Sequence, residues 1–103
     1  MEKNTPHYDL AVIKSEVRRL GQNAFTKTSV RSAEKLGFNV SEMQEIVFEL
    51  QTRMLYKSMT TYEDHRIWQD VYHINSRDQE IYIKVAYRPG GSPPVISFKE
   101  NNP

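Results

Sequence analysis

The stretch EIYIKVAY, Glu80 to Tyr87, decides the fold. Ile81, Ile83, Val85 and Tyr87 alternate with Tyr82, Lys84 and Ala86, the period of a strand that buries one face and leaves the other to water. The turn-rich RPGGSPP, Arg88 to Pro94, follows, and then PVISFK, in which Ile96 and Phe98 are expected inside and Val95, Ser97 and Lys99 outside. Upstream, NSRDQ separates the central strand from IWQDVYHI, and YKSMTTY lies before that. Strand-like runs joined by short turns, with no helix between them, predict a sequential antiparallel sheet.

The first half has the period of helices. In TPHYDLAVIKSEVRRLG, Thr5 is placed as N-cap and Pro6 as the first helical residue, Leu10, Ile13, Val17 and Leu20 form a stripe, and Gly21 ends it behind Arg18 and Arg19. NAFTKT reads as a brief strand, and SVRSAEKLG as a second helix ending at Gly37. A third helix is expected from an S-x-x-Q capping box, Ser41 and Gln44, with Met43, Ile46, Val47 and Leu50 on one face as core. Helices ahead of strands, without βαβ alternation, predict one α+β domain over residues 1–103, its three helices packed on one face of a mainly antiparallel sheet. The other face is then open.

Composition narrows the function classes. The 14 Lys and Arg nearly balance the 13 Asp and Glu, so an anionic partner must be held by a local patch and not by a global field. The chain has no Cys, hence no disulfide and no thiolate metal site, and the charged start MEKNTPHYDL has no apolar run resembling a signal peptide or membrane span. The cytoplasm is the expected compartment.

Alternation places Tyr82, Lys84 and Lys99 on the open face. Lys57 alternates with Tyr56 and Ser58, and Gln69 shares its side with Val71 and His73, where Val71 sits awkwardly. If Lys57, Gln69, Tyr82 and Lys99 share one face, two ammonium groups, an amide and a phenol meet there, a set suited to a phosphodiester. Lysines neutralise phosphate, amide and phenol groups hydrogen-bond it, and exposed rings stack on unpaired bases. RNA brings its own nucleophile, the 2′-hydroxyl, so strand cleavage requires no metal. The plain alternative is that Lys and Tyr on an open sheet face are simply solvated.

YKSMTTYEDHRIWQDVY, Tyr56 to Tyr72, resembles the signature of the MqsR toxins, the motility quorum-sensing regulator family of bacterial toxin–antitoxin systems. The N-terminal MEK and TPH and the C-terminal VISFKE resemble that family too, so the likeness runs from end to end. The resemblance implies a RelE-like mRNA interferase that cuts single-stranded mRNA at short GC-containing, GCU-like sites without the ribosome. The implied partner is an MqsA-type antitoxin with a zinc-binding domain and a helix-turn-helix domain, so zinc and DNA contacts belong to that partner. It also places the family's active-site lysine on Lys57, its glutamine on Gln69, its tyrosine on Tyr82 and its C-terminal lysine on Lys99.

In the roles that follow, Lys57 and Lys99 stabilise the pentavalent phosphate, one of them serving as acid or base through a lowered pKa, while Tyr82 orients or relays a proton and Gln69 holds the substrate. Tyr56 and Met59 flank Lys57 and are expected at the bases, and His73 is expected to contact RNA. His65 competes as an acid–base group but has no placed partner, and His7 reads as incidental. Asp64, His65, Asp70 and His73 match no metal-ligand spacing, so neither metal nor cofactor is expected. Trp68 and Tyr72, opposite Gln69, are expected in the core. RPGGSPP is longer than a tight connection and is expected to project, shaping the substrate groove or the antitoxin contact. Two other classes remain open, a non-catalytic RNA-binding or regulatory module on the same face and a purely protein-docking domain.

Overall fold

The computed structural model describes residues 1–102. Three helices, α1 (Leu10–Leu20), α2 (Lys27–Lys35) and α3 (Val40–Glu49), cover one face of a five-stranded antiparallel sheet. Its strands are β1 (Glu2–Lys3), β2 (Leu55–Thr60), β3 (Trp68–Ser76), β4 (Gln79–Val85) and β5 (Val95–Glu100), in spatial order β1-β2-β3-β4-β5. The expected α+β class holds, with one strand more than the four long runs predicted.

That extra strand and the late start of α1 have a common cause. Asp70, fully buried at the start of β3, accepts hydrogen bonds from the backbone N–H groups of His7 (3.0 and 3.1 Å) and Tyr8 (2.9 Å) and from the Ser58 hydroxyl (2.6 Å). A buried carboxylate requires such donors. Residues 5–8 therefore form bends tied to the start of β3 and not a helical turn. Asp9, not Thr5, caps α1, its carboxylate accepting from Ala11 N–H at 2.9 Å.

The other helix starts also move. Thr26 caps α2, accepting from Ser29 N–H at 3.1 Å. For α3 the capping box is Asn39 with Glu42, two residues before the expected Ser41 and Gln44. Both pairs have the right spacing, but Gln44 is used elsewhere: its amide donates to the Val17 carbonyl at 3.1 Å, tying α3 to α1. NAFTKT gives no strand, only a 3₁₀ turn at Gly21–Ala24 and a single parallel bridge from Phe25 to Val95 on the outer edge of β5.

The core lies between the layers. Ile13 and Val17 from α1, Ala33 from α2, and Met43, Ile46 and Val47 from α3 meet Tyr72, Ile74, Ile81, Ile83, Val85 and Phe98 from the sheet. Each fully buried aliphatic side chain contributes about 1.5–3 kcal/mol by leaving water. The β3–β4 hairpin turns through Arg77 (φ 53) and Asp78 (φ 61), both left-handed, as a two-residue turn between twisted strands requires. Arg77 is fastened to α3 through Glu49 and Glu45, each at 3.0 Å.

Candidate active site on the open sheet face

The register of the strands lays the open face out in rows. One row crosses the sheet as Lys57, Val71, Lys84 and Ser97, each directly opposite the next. The neighbouring row runs His73, Tyr82 and Lys99. A third, toward the start of β3, pairs Glu2 with Met59 and Met59 with Gln69. The four sequence-predicted residues Lys57, Gln69, Tyr82 and Lys99 thus come from four adjacent strands onto one face. The backbones bearing Lys57 and Lys99 are three strand spacings apart, roughly 14 Å.

Two β-bulges adjust the simple alternation. In β2 the register shifts between Leu55 and Lys57, leaving Tyr56 as the extra residue. Leu55 and Ser58 stay on the helix side while Tyr56 and Lys57 both turn to the open face, where the exposed Tyr56 ring stacks on His73 at 4.4 Å. In β5 the shift leaves Ile96 extra opposite the step from Lys84 to Val85. Val95 therefore joins the core, and Ile96 lies half-exposed beside Ala86, reversing the expected orientation of both. Val71 is fully buried although it lies on the open face, between its cross-strand neighbours Lys57 and Lys84, whose long side chains have aliphatic stems able to cover it.

The electrostatics divide the cations. Lys57 Nζ donates to Glu2 Oε1 at 2.6 Å, and this hydrogen bond raises the lysine pKa and lowers that of Glu2. Lys57 therefore stays an ammonium, contrary to a role for this residue through a lowered pKa. Burial pushes the Tyr82 phenol up, against a smaller pull from Lys57. Burial pushes His73 down, leaving a neutral imidazole at pH 7. Lys84 moves down, through burial and then the nearby charge of Lys99. Lys99 Nζ lies 5.0 Å from the Tyr82 ring centroid and Lys57 Nζ 5.5 Å from that of Tyr56. The face combines fixed positive charge, stacking rings and proton-carrying groups in an open strip suited to an extended polyanion.

A family model described as "Motility quorum-sensing regulator, toxin of MqsA" matches residues 5–100. The mRNA interferase toxin MqsR of Escherichia coli (strain K12) is 38% identical over 100 residues, 97% of this chain and 99% of the relative. The chain belongs to the MqsR toxin family.

Membership of the MqsR family gives the rows their interest, and the remaining candidates fall away from them. His65 is exposed in the loop after β2. His7 stacks on Trp68 at 5.3 Å, and Lys3 lies 4.2 Å over the same indole, so Trp68 is a half-buried platform and not core, whereas Tyr72 is fully buried. Asp70 faces the helices and His73 the open side, so the imagined set of Asp64, His65, Asp70 and His73 is not assembled. Arg88 to Pro94 turns through Gly90 at φ +71 and is exposed from Arg88 to Ser92 but buried at Pro94; its Arg88, Ser92 and Pro93 line, with Ile67, Ala86 and Ile96, a hollow of about 110 Å³. A larger cavity, about 560 Å³, lies between α2 and Pro93, away from the four residues. Sequence reasoning missed Glu2, which lies in a strand too short to show a period, and left Lys84 unused although alternation placed it on the open face. No helix among the described residues is long and apolar enough to cross a membrane.

Proposed function

We propose that the protein is the toxin of a type II toxin–antitoxin pair and an endoribonuclease that cuts single-stranded mRNA at short GC-containing, GCU-like sites, without ribosome or resident metal, so arresting translation and growth in the cytoplasm. The observation that carries this reading is the convergence of Lys57, Gln69, Tyr82 and Lys99 on one open sheet face, in a chain of the MqsR family. In the reaction the 2′-oxygen attacks the adjacent phosphorus as the bond to the 5′-oxygen breaks, leaving a 2′,3′-cyclic phosphate and a 5′-hydroxyl. Lys57, held as ammonium, and Lys99 neutralise the pentavalent phosphate. Gln69 holds the substrate, and Tyr82, which burial keeps protonated, is a proton donor for the departing 5′-oxygen. Tyr56, Met59 and His73 contact the bases, the stacked Tyr56–His73 pair extending the platform. The neutralising partner is an MqsA-type antitoxin, zinc-binding and helix-turn-helix, through which DNA is contacted only indirectly.

The test is cleavage of a defined single-stranded RNA in EDTA, without ribosomes, by wild type and Lys57→Ala. Site-specific cutting by the wild type, reduced ~100-fold or more in folded Lys57→Ala, is the expected result. RNA binding without cutting by the wild type points instead to a regulatory module, and equal cutting by both proteins removes Lys57 from the site.

A further inference from the structure

Lys84 occupies the centre of the open face, yet neither the family resemblance nor the four-residue set gives it a task. It is half-buried, directly opposite Val71 on β3 and Ser97 on β5, and it shares a row with Lys57. The charged and titratable groups around it are identifiable. Tyr82 lies two residues along its own strand, His73 and Lys99 lie in the adjacent row, and Lys57 in its own. Glu2 reaches this face, but its carboxylate is engaged by Lys57. Glu80 and Arg88 stand four residues away along the chain in either direction. Lys84 takes part in none of the ion pairs among the described residues. A half-buried ammonium with a second cation nearby and no carboxylate to balance it favours loss of its proton, and the direction of its pKa agrees.

From this placement we infer that Lys84 is the general base of the cleavage reaction, the neutral amine that takes the proton from the attacking 2′-hydroxyl. The step balances within the site. The 2′-hydroxyl proton passes to Lys84 Nζ, the 2′-oxygen–phosphorus bond forms, and the phosphorus–5′-oxygen bond breaks. Tyr82 protonates the leaving oxygen, and the Lys84 ammonium then returns a proton to the Tyr82 phenolate, directly or through water. Lys57 cannot take this part while Glu2 holds it charged. His73 is neutral too, but its ring is stacked on Tyr56 and tilted toward Tyr82 at 5.8 Å, the posture of a base-stacking group.

The inference rests on the RNA-cleaving reading, and the experiment separates the two. Single-turnover cleavage and RNA affinity are measured between pH 6 and 10 for the wild type, Lys84→Arg, Lys84→Met, His73→Gln and Lys99→Met, with circular dichroism to establish folding. In the wild type the rate is expected to rise with pH and level off above the lysine's pKa. Lys84→Arg carries a permanent charge and cannot act as a base, so it is expected to bind RNA at least as well as the wild type yet lose ~100-fold or more in rate together with the rising limb. Lys84→Met, the reserve should the Arg variant not fold, is expected to lose the same limb. Lys99→Met, having lost the neighbouring charge, is expected to shift the limb to higher pH. Cleavage by Lys84→Arg within threefold of the wild type, or a limb that vanishes in His73→Gln instead, overturns the inference. A wild type that cuts no RNA fails the parent reading first.

Discussion

Among single residues, Asp70 and Tyr72 show how the same strand serves opposite needs. Asp70 is buried and fully used: one carboxylate accepts from two backbone amides and a hydroxyl, which fastens residues 7 and 8 and, through them, β1 and the Glu2 that holds Lys57. Asp70→Asn presents an amide nitrogen where one of those donors points, so we expect about 3 kcal/mol of lost stability and a melting temperature lower by roughly 10–20 °C. A change under 3 °C in thermal denaturation shows that the amides are satisfied without the carboxylate. Tyr72 is buried but unused, its hydroxyl lacking a hydrogen-bond partner among the described residues. Burial, then the charges of Asp70 and Asp9, push its phenol up to about 12. Tyr72→Phe removes the unpaired group and is expected to gain about 1 kcal/mol. A phenol whose pKa is raised by folding stabilises the fold fully below its ordinary value near 10 and loses that contribution as pH rises toward 12. Urea midpoints of the wild type are therefore expected to fall over that interval more steeply than those of Tyr72→Phe, and parallel curves refute the assignment.

At the level of elements, legibility in the sequence followed the regularity of the backbone. β4 has no extra residue of its own, so EIYIKVAY alone placed Tyr82 and Lys84 correctly on the open face. β2 and β5 each carry one extra residue, and neither Tyr56 nor Ile96 is the Gly that commonly marks a bulge, so period-2 reading turned Val95 and Ile96 the wrong way and set Tyr56 against Lys57 although both reach the open face. Helix existence was legible from apolar stripes. Helix starts were not, because several residues compete as caps and the winner is settled by distant partners, Asp70 for α1 and the Val17 carbonyl for α3. The β3–β4 turn holds a further prediction. Arg77 and Asp78 both adopt φ > 0, but Arg77 is anchored to α3 while Asp78 forms none of the ion pairs among the described residues. Asp78→Gly is expected to stabilise by about 0.5–1 kcal/mol, because glycine enters the left-handed region without steric cost. A lower urea midpoint in that variant indicates that Asp78 contributes more than its backbone shape.

For the molecule as a whole, the near balance of 14 cations against 13 anions means that nothing draws RNA in from a distance. Binding must come from the open face, where Lys57, Lys84 and Lys99 stand in two adjacent rows. Two or three neutralised phosphates on a single strand give a slope of log affinity against log salt of about −1.4 to −2.1, since each contributes roughly −0.7. Lys99→Gln is therefore expected to flatten the slope by about 0.7, and substitutions of cations on the helix layer, such as Lys27→Gln on α2, to leave it unchanged. Lys57 is a special case, because its ammonium already holds the Glu2 carboxylate, so RNA must displace one anion to place another. Glu2→Gln removes that competitor. RNA binding is expected to tighten in this variant, and more so at low salt, where phosphate gains most from the released ammonium. Unchanged affinity across the salt series shows that the phosphate bypasses Lys57, and the positive patch must then be redrawn around Lys84 and Lys99.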